Sequence, residues 1–302
     1  MWKKHFKMFL LYKKAQGLAE RTLKDYEYNI GLFFEAYPRA LKDDETLEMA
    51  VLEYFAGIGH LSPFTFNTRR KNLNTFLNWL KGEKGIIENN PIRHIKRRKE
   101  DKLPRASDED TLVKLLQAPD KTTFAGLRDY TLIVLTLDTG IRPGEAFGLL
   151  EHNFDLEMGQ VEIPAEVAKT RTRRILPILP QTILAIAELI QSRHKYWPDT
   201  VPVFCTENGG KLGKNQWGRR MIEYSEKIGR KVTPYQLRHS FALLFLRNKG
   251  SAFHLQQMLG HTTMEMTEKY VYLSKSDVED VHYTASPLNR LLPPKKRIRK
   301  IK

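Results

Sequence analysis

The chain is poor in several things, and each shortage excludes something. It has a single cysteine, Cys205, so no intrachain disulfide can form and no cysteine-based zinc site can be assembled. A reducing cytoplasm, in a prokaryotic cell or its nucleoid, is the compartment such a chain suits. No long uncharged apolar run occurs, which argues against a membrane partner. The N-terminus, MWKKHFKMFLLYKKAQ, has a basic start, but lysines interrupt its apolar run before any small-residue cleavage site, so it reads as a first amphipathic helix and not a signal peptide. There is no HExxH, no Walker lysine loop and no compact carboxylate cluster of nuclease type, so neither a metal nor any other cofactor is expected. The last seventeen residues, SPLNRLLPPKKRIRKIK, carry seven Lys or Arg and no acid; this tail, 286–302, is expected to be disordered unless it meets DNA or a neighbouring subunit.

What is present in excess is positive charge. The net charge of +15 points to a polyanionic partner, and nucleic acid fits better than a membrane, although a merely basic surface produces the same number. At 302 residues, 41% of them hydrophobic, the chain has enough apolar material for two domains with separate cores.

From Trp2 to about Leu80 apolar residues recur at three and four, as in Leu23, Tyr26, Ile30 and Phe33, with breaks at Gly17, Pro38, Gly57 to Gly59 and Gly82 to Gly85. That spacing predicts about four helices and no β alternation. The segment NPIRHIKRRKEDKLPRASDED, 90–110, reads as a basic linker or solvated tether, at whose end Ser107 and Asp110 have capping-box spacing for a new helix. The second part is mixed: a buried helix ending at Gly140, a helix beginning at Pro143, a hairpin made of QVEIPA and RRILPI, then helices again from Gln181, with Thr233 and Pro234 as cap and first turn of one. The fold class expected is mainly α with a small β-sheet, α+β.

Four stretches carry candidate chemistry. In TGIRPGE, Arg142 sits at a loop-to-helix junction beside glycines, with Glu145 one turn on to steady its guanidinium. In AKTRTRRILPI a cation-rich hairpin tip offers Lys169, which can deliver a proton, and Arg171, Arg173 and Arg174, which can track phosphates. In TPYQLRHSFA, Tyr235 and Arg238 share a helical face and His239 follows. In LGHTTMEMTEKYVYLS, His261 follows Gly260, and two tyrosines, Tyr270 and Tyr272, come after. Each stretch alone is commonplace, a helical ion pair or a packed tyrosine; their order is the signal.

That ordered set resembles the tyrosine recombinase (phage integrase) family, whose signature runs arginine, hairpin lysine, His-x-x-Arg, Leu-Gly-His and a tyrosine nine residues after that histidine. The spacing selects Tyr270 over Tyr272. GLAERTLKDY and SPFTFNTRRKNLNTFLNWLKGEKGIIENNPI match the phrasing of the family's core-binding domain. The resemblance implies a helical core-binding domain at 1–97, a basic linker at 98–106, a mostly helical catalytic domain at 107–285 and the basic tail, in a compact Xer-like chain without an arm-binding domain. It implies a site-specific recombinase of an integrating, excising or resolving kind, needing neither ATP nor metal. In it Tyr270 attacks a DNA phosphate to leave a 3′-phosphotyrosyl link, Arg142 and Arg238 clamp that phosphate, Lys169 is the general acid and His261 donates a hydrogen bond. The clamp's cations are expected to lower the Tyr270 pKa. Tyr235 departs from the family, which usually has histidine there; it can donate a hydrogen bond but is a poor base. Glu145 and His239 support the site. Arg69, Arg70, Lys71, Arg93, Lys96, Arg97, Arg98, Lys99, Arg171, Arg173 and Arg174 are the candidate DNA contacts. The expected partners are double-stranded DNA with a specific core site and three further copies of the chain in a tetramer. A type IB topoisomerase and a catalytically decayed DNA-binding protein are the competing readings.

Overall fold

The computed structural model describes residues 2–100, 105–273, 282, 283 and 285–292. The chain divides into two compact units, Met1–Lys102 and Leu103–Lys302.

The first unit is four helices, α1 (Trp2–Ala15), α2 (Glu20–Ala36), α3 (Asp44–Gly57) and α4 (Pro63–Gly82). The starts are chemically marked: Asp43 accepts from the Thr46 N–H at 2.7 Å, and Ser62 caps α4 with Pro63 in its first turn. Their apolar stripes meet in an aromatic core where Phe9 contacts Tyr26, Phe76 and Trp79 edge-on. The basic segment that reads as a tether from residue 90 starts later than that. Asn90 accepts the Ile92 N–H and gives its amide to Asn74 and Asn78, setting a 3-10 turn (Pro91–His94) whose Ile92 is fully buried. Asn67 then clasps the backbone of Arg98 through both its N–H (3.0 Å) and its carbonyl (2.9 Å). Asn90 and Asn67 hold the backbone at Ile92 and Arg98, and Arg70 takes the carbonyls of Ile92 and Ile95, so a stretch with little apolar content is packed on the first unit instead of hanging free.

The second unit is built on α6 (Phe124–Thr139), which packs against α8 (Pro180–Gln191) and α10 (Pro234–Arg247). Around it stand α5 (Glu109–Gln117), α7 (Pro143–Ala146), α9 (Lys214–Ile228), α11 (Ala252–Leu259) and α12 (Glu265–Leu273). Asp108, not Ser107, caps α5, taking the Thr111 N–H at 2.8 Å, while the Ser107 N–H goes to the Ser240 hydroxyl. The segment from Pro143 is a single turn, shorter than its apolar content suggested. A three-stranded antiparallel sheet has β2 (Gln160–Ile163) between β1 (Phe154–Asp155) and β3 (Arg174–Pro177). Val161 pairs with Leu176 and Ile163 with Arg174, and the loop between β2 and β3 carries Lys169. In the tail, Leu288–Leu291 form one helical turn, and residues 293–302 lie outside the described set.

Candidate active site

The site forms where α6 ends. Gly140 caps that helix at φ 65°, and a Cβ there would lie 2.3 Å from Phe241 of α10 and 2.8 Å from Leu259 of α11, so a glycine is required both by conformation and by space. This close approach lets one arginine reach two turns. Arg238 donates to the Gly140 carbonyl and, at 2.8 Å, to the Leu259 carbonyl. Arg142, two residues past Gly140, donates to Glu145 at 3.0 Å and to the Gly260 carbonyl at 3.4 Å. Glu145 also accepts the backbone N–H of Arg142 at 3.3 Å and that of Lys169 at 3.2 Å.

Arg174 corrects the sequence expectation. Grouping it with the DNA-contacting hairpin residues ignored strand alternation: on β3, Leu176 faces the core, so Arg174, two residues before it, faces inward as well. Its side chain is 10% exposed, donates to Glu145 at 2.5 Å and to the Met258 carbonyl at 3.3 Å, and leaves Nη1 buried without a hydrogen-bond partner. A Cβ at Gly260 would meet this guanidinium at 3.3 Å. The turn after α11 therefore rests on Arg174, and its carbonyls are held by Arg142 and Arg238.

Two guanidinium groups, those of Arg142 and Arg174, thus share one carboxylate, and a third, Arg238, lies close enough to feel its charge. Burial tends to raise the Glu145 pKa, but the Arg174 hydrogen bond, with Arg142 and the Lys169 N–H, outweighs it and holds Glu145 below the usual carboxylate range. Burial first, and then Arg142, pulls Arg238 down to about 9, so it remains a cation at neutral pH, though a strained one. His261 is pulled down to about 3 by burial and then by Arg238 and Arg142, and is neutral. Its Nε2 lies 3.2 Å from Arg238 and its Nδ1 lies 2.9 Å from the Thr267 hydroxyl. A guanidinium has donors only, so Nε2 is the acceptor and Nδ1 carries the proton. The sequence expected His261 to donate to a phosphate; as arranged here its donor is spent on Thr267, and the expected role requires a second proton or release of Arg238.

Tyr270 of α12 is 2% exposed, packed against Phe241, Leu246 and Leu259, and its hydroxyl lies 2.6 Å from Nδ1 of His239. Tyr272 is 62% exposed. The expectation of a lowered Tyr270 pKa is not met: burial raises it, and Arg238 and Arg142 offset this only in part. Tyr235 is 52% exposed while Arg238, one turn on, is buried, so the shared helical face does not give a shared environment. The side chain of Lys169 is exposed, although its backbone is anchored to Glu145.

The other basic candidates divide by partner. Arg70 donates to the carbonyls of Ile95 and Ile92, and Arg98 donates to that of Gly59 and lies 3.9 Å over the Phe66 ring; these tie segments of the first unit together. Arg69 is half-buried. Lys71, Arg93, Lys96, Arg97, Lys99, Arg171 and Arg173 are exposed, Arg173 in a forked pair with Glu162 at 2.6 and 2.8 Å. Among the described residues no cluster of metal-ligating side chains occurs and no helix is long and apolar enough to cross a membrane.

A model of the phage integrase family matches residues 106–277. The chain is 28% identical over 290 residues to the tyrosine recombinase XerC of Thermodesulfovibrio yellowstonii, covering 92% of this chain and 94% of that protein. It is 27% identical over 297 residues to the tyrosine recombinase XerD of Listeria innocua, covering 93% and 97%. In fold it is similar to the XerH site-specific recombinase bound to a palindromic difH substrate, with TM-score 0.70 and 22% identity over 92% of this chain and 82% of that one. The Tn1549 transposon integrase in complex with transposon right end DNA gives TM-score 0.71 and 17% identity over 92% and 98%.

Proposed function

The chain belongs to the phage integrase family and is a site-specific tyrosine recombinase, and from that premise we propose which residues carry the reaction and on what. Tyr270 attacks a DNA phosphodiester, Arg142 and Arg238 bind its nonbridging oxygens, and Lys169 gives a proton to the departing 5′-hydroxyl. The product is a 3′-phosphotyrosyl link that a second 5′-hydroxyl can reverse on a new strand, so the phosphodiester's energy is retained. Such a reaction asks mainly for positive charge around a crowded phosphate.

The observation that carries this reading is the charge balance: Arg142 and Arg174 pair with one carboxylate, Glu145, Arg238 beside them has only carbonyls and a neutral histidine, and Tyr270 lies close enough for Arg238 and Arg142 to bias its ionisation. A phosphate would discharge the surplus, and the weakened Arg238 cation would gain most from it. Residues 1–97 act as the core-binding domain, 98–106 as the linker and 107–285 as the catalytic domain, on a specific core site, in a tetramer that exchanges strands in pairs. The exposed cations Lys71, Arg93, Lys96, Arg97, Lys99 and Arg171 supply phosphate contacts, whose affinity falls steeply with salt.

The test works without a defined target sequence. Wild-type and Tyr270→Phe proteins are incubated with fragmented source DNA and denatured in detergent, and DNA that stays covalently attached is sequenced. Adducts with wild type alone are expected, and their shared sequence gives the core site. Adducts with Tyr270→Phe would remove Tyr270 as the nucleophile.

A further inference from the structure

Resting on Tyr270 as the nucleophile, we propose that His239 is a catalytic residue, the base whose Nδ1 takes the phenolic proton of Tyr270 as the bond to phosphorus forms. The position usually held by histidine is Tyr235 here, half exposed, and a phenol does not accept a proton near neutral pH. The only imidazole against the Tyr270 hydroxyl among the described contacts is His239, at 2.6 Å, within the range at which general bases work. Its ring is also inclined over the tyrosine ring, with centroids 5.8 Å apart, so the nitrogen approaches from a fixed side.

The surroundings keep this imidazole neutral. Burial, then Lys269 on α12 and Arg238 on α10, hold His239 down at about 4. The charged groups bearing on Tyr270 itself are Arg238 and Arg142, with the Lys269 ammonium 5.7 Å over its ring. A base this weak does not ionise a resting phenol. During attack the oxygen lone pair enters the new Oη–P bond, the phenolic proton becomes strongly acidic, and a weak neutral base suffices. A phosphate held by Arg238 also offsets that arginine's effect on His239. The step balances: Oη–H breaks and its proton moves to His239 Nδ1, Oη–P forms, P–O5′ breaks with its electron pair on O5′, and O5′ is protonated by Lys169. Rejoining reverses it, with His239 returning the proton to Tyr270.

The test uses the full chain and the core-site DNA recovered above, resynthesised with sulfur in place of O5′ at the cleaved position. A thiolate leaves without a proton, so Lys169 drops out of the rate and His239 does not. Wild-type cleavage is expected to stay nearly flat between pH 6 and 9. His239→Ala and His239→Gln are expected to cleave about 100-fold more slowly near neutral pH, to gain about tenfold per pH unit as phenolate accumulates, and His239→Ala to be accelerated by added imidazole. DNA binding by both variants shows that they are folded. A variant profile that runs parallel to wild type, or a wild-type rate in His239→Gln, whose amide keeps a hydrogen bond but takes no proton, overturns the inference and leaves Tyr270 standing. Adducts with Tyr270→Phe overturn both.

Discussion

Two buried carboxylates, Asp129 and Glu145, gather arginines in the same unit of the chain, with opposite balances. Asp129 is fully buried and accepts from Arg128 at 2.7 and 2.9 Å, from Arg220 at 2.6 Å and from the Tyr224 hydroxyl at 2.7 Å. Arg220 has a second partner in Glu223, so two cations face two anions. Glu145 serves Arg142 and Arg174 while Arg238 has carbonyls and a neutral histidine for company, so three cations face one anion among the described residues. One set is closed and the other is short of negative charge. Buried charge left unbalanced costs folding energy, and it persists where a ligand removes the imbalance. On this ground the Asp129 set holds the second unit together, while the Glu145 set awaits an anion.

The comparison is broken most forcefully at Asp129. Asp129→Ala strands Arg128 in a buried place, takes from Arg220 one of its two anions, and is expected to lower unfolding free energy by about 3–5 kcal/mol, read from denaturant midpoints. Cleavage per folded molecule should persist. Loss of cleavage at unchanged stability would mean that the Asp129 set serves the chemistry. At the other carboxylate the balance of effects reverses. Arg238→Gln gives up the bonds to the Gly140 and Leu259 carbonyls but removes a cation that the fold disfavours, so the denaturation midpoint should fall far less than in Asp129→Ala. Cleavage should fall by about 100- to 1000-fold. An Arg238→Gln as destabilised as Asp129→Ala, with normal cleavage, would place Arg238 with the structural arginines.

Much of this was legible in the sequence, for identifiable reasons. The helix start at Pro234 and the stop at Gly140 follow from residues whose backbone preferences are strong and local. Arg142, Arg238 and His261 stand beside glycines and helix starts that fix where they go. The misreadings came from interactions distant in sequence. Nothing near Asn67 tells that it will clasp Arg98, 31 residues away, so 90–98 read as a tether. The adjacent pair Arg128–Asp129, in the apolar run GLRDYTLIVL, was a visible hint of a buried charged set, because ions in such a run need partners. The Arg220 and Tyr224 partners, on α9, were not visible. Burial of Tyr270 was hidden for the same reason: it depends on α10 and α11 closing over α12, and that closure reversed the expected direction of its pKa.

The finest form of the comparison lies within one dipeptide. Arg173 and Arg174 are neighbours on the hairpin with identical side chains, and alternation alone separates them: one points to solvent and a surface glutamate, the other inward to Glu145 and Met258. Lysine retains the charge but has no planar fork, so it cannot serve a carboxylate and a carbonyl in two directions with the same geometry. In Arg173→Lys the ammonium still neutralises Glu162 in a solvated place, and neither the denaturation midpoint nor cleavage should move. In Arg174→Lys the turn 258–261 loses the support against which Gly260 is packed, and with it the carbonyls that hold Arg142 and Arg238 in register. Cleavage should fall on the order of tenfold, with DNA affinity retained, because the displaced group positions the clamp and does not supply its charge. Equal slowing by the two substitutions would mean that the hairpin acts through its total charge, and the distinction between a surface arginine and a buried one would then not govern this site.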